Sequence, residues 1–170
     1  MRAGGPAVLD GCRHEIIEGD EFTTPAPEVP HQRISRKLER ILDDHVTALA
    51  LGEIFHAPID VVLSNEDVVQ PDILFVSTAR SAVVTRKNLQ GAPDLVVEIL
   101  SPSTASVDRG EKLQLYGRSG VTEYWIVDPT VKIIEIHEFT GIRRRRVYTE
   151  GQAFESAVLP GLTIRLSDLF

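Results

Sequence analysis

The chain has 170 residues, of which 42 % are hydrophobic and 25 % charged, a composition that is typical of a folded globular protein and excludes general disorder. Its net charge of −7 argues against a dedicated nucleic-acid-binding protein, so any contact with DNA must come from a local basic patch. Cys12 is the only cysteine of the sequence, which excludes an internal disulfide and a cysteine-rich zinc site.

The N-terminal segment, residues 1–13, is rich in small residues and lacks periodicity, and we interpret it as a flexible leader. Residues 14–170 are predicted to form a single domain, because a chain of this length fits one hydrophobic core. No stretch approaches the roughly 18 apolar residues of a transmembrane helix, and the N-terminus lacks the pattern of a signal peptide. We therefore expect a cytoplasmic protein that makes no membrane contact.

The first predicted elements are a hairpin and a long helix. Residues 14–17 and 21–22 flank a turn at Gly19, which favours a short hairpin. A helix is predicted from about residue 28 or 31 to residue 50, because apolar residues recur on one face. This apolar face consists of Ile34, Leu38, Ile41, Leu42, Val46 and Leu49. The polar side carries Arg33, Arg36, Lys37 and Arg40. We interpret these four residues as a solvated charged face, with a phosphate-contact patch as the alternative.

The middle of the chain carries an isolated acid inside an apolar run. Extended segments are predicted at residues 53–55, 59–63 and 70–76, with Asp72 near the start of the third. After an irregular connection, residues 95–100 are apolar except for Glu98, a pattern that is typical of a strand buried on both faces. A buried charge is costly unless it is paired or binds a metal. The strand ends at Pro102, and a helix is predicted from about residue 106 to residue 117.

The last third of the sequence predicts further strands. Residues 121–127 are β-branched and aromatic, residues 132–139 and 143–148 favour a hairpin around Gly141, and residues 158–164 are expected to be extended. The four arginines at residues 143–146 fit a charged edge strand as well as a phosphate contact, and both interpretations stay open. The element order predicts an α/β (α+β) fold in which a central mixed sheet is flanked by helices.

Three side chains, Asp72, Glu98 and Lys112, form the candidate site. The two acids lie on successive predicted strands, so they would be neighbours if these strands pair about 4.8 Å apart. Two adjacent carboxylates repel unless a cation lies between them, and such oxygen ligands suit Mg²⁺ or Mn²⁺. An ammonium nearby would stabilise a phosphoryl transition state. The three residues together therefore predict metal-dependent cleavage of a phosphodiester.

Less specific interpretations stay open for these residues. Lys112 follows Asp108 by four residues, so the two could form an ordinary ion pair on a helix surface. Asp72 follows a proline and could be a turn residue at the start of a strand. Asp94 shares the side of the strand on which Glu98 lies, but it is about 13 Å away along a regular strand. We expect Asp94 to end the preceding turn rather than to bind the same metal.

Several blocks of the sequence resemble the Uma-type family of bacterial restriction-endonuclease-like proteins in the PD-(D/E)XK nuclease superfamily. The blocks include QPD at residues 70–72, PDLVVEILSPST at residues 93–104, EYWIVDP at residues 123–129 and LPGL at residues 159–162. The resemblance implies a restriction-endonuclease-like core with added hairpins, in which Asp72 and Glu98 are the two acids of the motif. The motif lysine is expected at position 100, where this chain has Leu100. Lys112 on the following helix is the candidate replacement.

We therefore expect a Mg²⁺-dependent (or Mn²⁺-dependent) endonuclease that cleaves DNA, with Asp72 and Glu98 as metal ligands and Lys112 as the catalytic cation. The resemblance also implies a homodimer, which would pair two sites across a duplex. The alternative is a catalytically impaired module of the same fold that binds nucleic acid or a protein partner. Leu100 and the net charge of −7 favour this alternative.

Overall fold

The structure is a computed structural model that describes residues 12–170, so residues 1–11 of the predicted leader lie outside the described part. The helices are α1 Val29–Leu49, α2 Ala105–Arg109 and α3 Glu111–Ser119. The strands are β1 Arg13–Ile17, β2 Asp20–Thr24, β3 Gly52–His56, β4 Val61–Val62, β5 Val68–Val69, β6 Ile73–Ser77, β7 Leu89–Gln90, β8 Leu95–Ile99, β9 Glu123–Asp128, β10 Ile133–Glu138, β11 Arg144–Thr149, β12 Ala153–Glu155 and β13 Thr163–Arg165. Short 3₁₀ turns cover Thr78–Val83 and Leu166–Asp168.

The strands form two larger sheets and one separate hairpin. A six-stranded sheet has the order β11-β10-β9-β8-β6-β3, a five-stranded sheet has the order β2-β1-β5-β4-β7, and β12 pairs with β13. In the six-stranded sheet β8 and β9 are parallel, whereas the other neighbouring strands are antiparallel. The predicted α+β fold, with a central mixed sheet and added hairpins, is confirmed. Among the described residues, no helix combines the length and the apolar composition needed to cross a bilayer.

The centre of the six-stranded sheet is buried on both faces, as the apolar run of β8 predicts. Leu95, Val97 and Ile99 pack with α1 and the C-terminal hairpin, whereas Val96 packs with α3 and the five-stranded sheet. This alternation follows from the two-residue period of a strand. Glu98 therefore points to the face that α3 covers, and its carboxylate is enclosed between two sheets and a helix.

The helix predicted after β8 is interrupted, and this part of the prediction is wrong. Gly110, with φ −108° and ψ −95°, separates α2 from α3. A Cβ atom at this position would lie 2.9 Å from the carbonyl oxygen of Ser106, which is too close for any residue with a side chain. The glycine thus permits a tight change of direction. As a result Asp108 and Lys112 lie on different helices rather than on one continuous face.

The arginine-rich segment forms an exposed edge. Residues of β11 pair with β10 on one side only, because β11 is the terminal strand of the six-stranded sheet. Arg145 and Arg146 form ion pairs with Glu135 and Glu138 of β10. The interpretation as a charged edge strand is therefore confirmed, since such charge discourages further strand pairing.

The position of Leu38 in the core generates a stability prediction. Leu38 of α1 is 0 % exposed, whereas Leu49 at the end of the same helix is 54 % exposed. Leu38→Ala should lower the free energy of unfolding by about 2–5 kcal/mol, because it removes buried methyl groups and leaves a cavity. Leu49→Ala is the matched control and should change it by less than about 0.5 kcal/mol. Urea denaturation measures the free energy of unfolding of both variants. A loss for Leu38→Ala as small as the one expected for Leu49→Ala would show that Leu38 is not part of the core.

Candidate active site

Glu98 lies at the centre of the candidate site, in the middle of β8. It is 3 % exposed, and α3 supplies both of its side-chain partners. The Lys112 ammonium donates to Glu98 Oε1 at 3.0 Å, and the Tyr116 hydroxyl donates to the same oxygen at 2.9 Å. No described residue donates a hydrogen bond to the second carboxylate oxygen. One oxygen of Glu98 is therefore held in place while the other is left for a further partner.

Asp72 lies immediately before β6 and next to Glu98. In the antiparallel pairing of β6 with β8, Ile73 is opposite Val97, and one further step places Asp72 opposite Glu98. The backbone N–H of Ile99 donates to Asp72 Oδ2 at 2.8 Å, which fixes the carboxylate against β8. The two acids that the sequence singled out are thus neighbours.

Two residues that the sequence analysis did not assign to the site also bind Asp72. Arg13 of β1 donates to Asp72 Oδ1 at 2.6 Å, and His31 Nε2 of α1 donates to Oδ2 at 3.0 Å. Both partners are remote in sequence, so no local pattern identifies them. Asp72 is therefore held by groups from three elements, and a cation that binds it must share Oδ1 with Arg13 or displace that guanidinium.

Lys112 is enclosed by three carboxylates rather than by one. Its Nζ lies 2.8 Å from Glu15 Oε2, 3.0 Å from Glu98 Oε1 and 3.4 Å from Asp108 Oδ1. Glu15 was also missed, although its position carried a signal. Glu15 and Ile17 are two residues apart and lie on the same, buried side of β1. Glu15 is therefore an acid at a core position, as Glu98 is. Lys112 is thus a buried charge, not a member of an ordinary helix-surface pair.

Apart from Tyr116, these groups line one cavity of about 360 Å³. Its wall also includes residues 24–28 from the segment before α1 and residues 101–104 from the turn after β8. The turn predicted at the end of β8 therefore forms the rim of the site. Asp94 is not among the lining residues: it accepts a hydrogen bond from the Ser77 N–H at 2.7 Å and pairs with Arg80.

Leu100, the position at which the resemblance implies a lysine, lies on the same side of the sheet as α3. Leu100 lies two residues after Glu98, and it packs in the same core cluster as Leu115 and Tyr116 of α3. A lysine at position 100 would thus approach Glu98 from the face of the sheet that α3 covers. Lys112 projects its ammonium to Glu98 from α3 itself, so both positions give access to the same carboxylate.

Asp72 and Glu98 have opposite pKa shifts. Burial raises the pKa of Glu98 well above its ordinary value; Lys112 opposes this shift, but Asp108, Asp72 and Glu15 reinforce it. Burial also acts to raise the pKa of Asp72, but His31, Arg13 and the Ile99 N–H outweigh it and lower that pKa. At neutral pH Asp72 is therefore ionised, whereas Glu98 retains its proton more readily than an ordinary glutamate.

The ammonium of Lys112 stays charged. Burial alone would lower its pKa, but the carboxylates of Glu98, Glu15 and Asp108 outweigh this effect and raise the pKa above its ordinary value. Lys112 is consequently a fixed positive charge and cannot serve as a general base near neutral pH.

The donor set fits a hard divalent cation. Five carboxylates (Glu15, Glu28, Asp72, Glu98 and Asp108) line the cavity with two permanent cations, Lys112 and Arg13, which leaves an excess of negative charge. Asp108 Oδ1 is buried and accepts no hydrogen bond. Within residues 12–170, however, no three His, Cys, Asp or Glu side chains converge as a ready-made metal centre. Asp72 and Glu98 supply oxygen ligands of the kind that Mg²⁺ prefers, and this ion commonly binds through one or two carboxylates and takes water or substrate oxygens as its other ligands.

The raised pKa of Glu98 predicts a pH-dependent cost to stability. Because folding raises this pKa, the favourable contribution of the protonated form is complete below the unfolded pKa of about 4.3 and is lost as the pH rises through the folded value. Glu98→Gln mimics the protonated form. Its free energy of unfolding at pH 8 should therefore exceed that of the wild type by on the order of 1 kcal/mol. The difference should be smaller at pH 5.

Thermal unfolding of Glu98→Gln from pH 5 to pH 8, without added metal, measures this effect. Glu53→Gln is the matched control, because Glu53 is exposed on β3 of the same sheet, and its curve should follow that of the wild type. A Glu98→Gln variant that is less stable than the wild type at every pH would show that Glu98 is ionised in the folded protein.

Comparisons with known proteins agree with this architecture. The Uma2 family, described as "Putative restriction endonuclease", matches residues 7–167 of the chain. An uncharacterized protein of Synechocystis sp. is 28 % identical over 129 residues, which cover 74 % of this chain but only 65 % of that protein. A crystal structure from Anabaena variabilis, described as "a putative nuclease belonging to DUF820", superimposes with a TM-score of 0.79 at 20 % identity, over 92 % of this chain and 89 % of that chain.

The structural likeness confirms the predicted nuclease-like fold, and at this level of identity it concerns the fold alone. The family match extends over almost all of the chain, from before β1 to the 3₁₀ turn at Leu166–Asp168. It includes every residue of the candidate site. The protein belongs to the Uma2 family of restriction-endonuclease-like proteins.

Proposed function

We propose that this protein is a Mg²⁺-dependent endonuclease that hydrolyses phosphodiester bonds of DNA. One observation carries the proposal: Asp72, Glu98 and Lys112, which come from three different elements, line the same cavity. A buried pair of acids next to a fixed ammonium has no evident structural necessity, since apolar residues of similar size would be cheaper to bury. Perturbed, enclosed charges of this kind are characteristic of active sites.

Asp72 and Glu98 would hold the cation. Asp72 is already ionised and is kept in position by the Ile99 N–H, whereas Glu98 would lose its proton when the cation binds. Both carboxylates border the cavity, so the remaining ligand positions can be taken by water and by a phosphate oxygen. When bound, Mg²⁺ would polarise that phosphate oxygen and increase the acidity of an attacking water. Mn²⁺ has the same preference for oxygen ligands and is the alternative ion.

Lys112 would act as an electrostatic catalyst. Its ammonium is fixed by Glu15, Glu98 and Asp108, so it needs no reorganisation when negative charge develops on the phosphate. Fixed charges in an enclosed site are more effective than the same charges in water. Glu15, Asp108 and Tyr116 are then positioning residues, because they hold Lys112 or Glu98 rather than the substrate.

A homodimer would carry two such cavities, which is the arrangement needed to cut both strands of a duplex. The single chain contains each of the groups to which we assign a role, so each cavity would act on one strand. Light scattering of the purified protein measures the oligomeric state. The cytoplasm, where DNA is accessible, is the compartment in which we expect this activity.

Cleavage assays on variants of the three residues test the function. Glu98→Gln and Asp72→Asn should abolish cleavage of plasmid DNA in Mg²⁺ or Mn²⁺, because each variant removes a ligand of the cation. Lys112→Met should slow cleavage by about 10²–10³-fold, the usual effect of removing one electrostatic stabiliser. Initial rates of conversion of supercoiled plasmid to nicked and linear forms are the measurement.

The control is Glu53→Gln, which should cleave as fast as the wild type. Cleavage by Glu98→Gln at the wild-type rate would overturn the assignment of the site. Absence of cleavage by the wild type on DNA of varied sequence, with either metal, would favour the alternative of a nuclease-fold module that binds without catalysis.

Metal binding provides a separate test that does not depend on turnover. Isothermal titration calorimetry with Mn²⁺ should show binding that weakens about tenfold or more in Asp72→Asn and Glu98→Gln, but not in Glu53→Gln. The affinity should increase with pH, because the cation binds the ionised form of Glu98, whose pKa is raised in the free protein. Titrations in two buffers of different ionisation enthalpy should detect the released proton. Binding without proton release at pH 6 would show that Glu98 is already ionised.

A further inference from the structure

A second cavity adjoins the candidate active site along the polar side of α1. It has a volume of about 620 Å³ and shares Arg13, His31 and Asp72 with the first cavity. Its other lining residues come mainly from α1 and from the end of β3, and they include Arg33, Arg36, Glu39 and His56. The two cavities are therefore adjacent, and Asp72 lines both of them.

The two cavities differ in charge. The first cavity is rich in carboxylates, as described above. The second is lined by three arginines and two acids: Arg13 pairs with Asp72, Glu39 lies 3.6 Å from His56, and Arg33 and Arg36 remain as uncompensated cations. In a protein with a net charge of −7, a concave basic surface is a local feature that needs its own explanation.

The basic residues of α1 divide into two classes. Arg40 pairs with Asp44 on the exposed surface, and the Lys37 ammonium donates to the carbonyl oxygen of Leu169 at 2.9 Å. By contrast, Arg33 and Arg36 form no ion pair or hydrogen bond through their side chains with any residue in the range 12–170. The sequence favoured a solvated charged face for all four residues, and all four are exposed. Arg33 and Arg36 differ in that their guanidinium groups are left available to a ligand.

Arg33 and Arg36 are suited to bind neighbouring groups of one ligand. Residues three apart on a helix have Cβ atoms about 5–6 Å apart, so the two guanidinium groups can act together. Arginine binds phosphate oxygens through two parallel hydrogen bonds, which lysine cannot do. A ligand that presents phosphates in series along this groove would meet both arginines before it reaches Asp72.

We propose that the groove lined by Arg33 and Arg36 binds the sugar–phosphate backbone of the substrate strand, on one side of the phosphate that is cleaved. This inference deepens the proposed nuclease function, because it gives the direction from which the strand enters the active site. The arginines bind the backbone without reading the bases, so they contribute affinity and not sequence preference. Arg13, at the junction, is the last cation that the strand meets before the metal ligands.

Binding without cleavage tests the groove separately from catalysis. A fluorescently labelled single-stranded DNA oligonucleotide is titrated with protein in EDTA, and anisotropy gives Kd at several salt concentrations. The double variant Arg33→Gln, Arg36→Gln should bind more weakly than the wild type at every salt concentration. The slope of log Kd against log salt should fall by roughly 1.4, since each phosphate contact on a single strand contributes about 0.7.

The matched control is the double variant Arg40→Gln, Arg144→Gln, which removes the same charge from two exposed arginines outside the groove. It should retain the wild-type slope. Equal slopes for both double variants, or no binding of the oligonucleotide by the wild type, would overturn the inference. Thermal unfolding verifies that both variants are folded.

The outcomes separate the groove from the nuclease function. If Arg33→Gln, Arg36→Gln binds like the wild type while Glu98→Gln abolishes cleavage, the groove is excluded and the nuclease proposal stands. If the groove variant loses affinity while the wild type cleaves nothing, the groove is supported as a nucleic-acid-binding surface and the nuclease proposal fails.

Discussion

The burial of the Lys112 ammonium is the interaction on which the arrangement of the site depends. An isolated buried charge would be prohibitively costly, and here it is compensated by carboxylates from β1, β8 and α2. These partners belong to the five-stranded sheet, the six-stranded sheet and the helix after β8. One charge thus fixes the relative positions of three parts of the fold. A site assembled in this way has its geometry set by the same contacts that close the core around it.

Asp72 and Glu98 show how the local environment gives two carboxyl groups different pKa values. Asp72 meets Arg13, His31 and a backbone N–H, whereas Glu98 shares its one cationic partner with two other carboxylates. The first acid is therefore electrostatically satisfied and the second is not. In the proposed enzyme, this asymmetry means that Asp72 is ionised throughout the neutral pH range, and the cation shares its Oδ1 with Arg13 or displaces that guanidinium. Glu98 completes the site only when the cation displaces its proton, which couples metal binding to the pH of the solution.

The sequence predicted the central part of the fold and of the site, because both depend on local patterns. The apolar run around Glu98 identified a buried strand and its unusual acid, and the periodicity of α1 identified a helix that buries Leu38 and Leu42. Arg13 and Glu15 were not assigned, because their contacts with Asp72 and Lys112 join segments that only the tertiary structure brings together. The break at Gly110 was missed because the apolar and charged pattern continues across it, whereas the backbone conformation changes within one residue.

The charged edge at β11 has a consequence for how copies of this protein can assemble. A second β11 that approached this edge would bring another row of arginines against Arg144 and its neighbours, and the repulsion would oppose strand pairing. The six-stranded sheet therefore cannot be extended by joining two copies through this edge into one continuous sheet. A dimer can still be built from helices, loops, the face of a sheet or the edges formed by β3, β2 and β7, and this choice sets how far apart and in what orientation two active-site cavities are held.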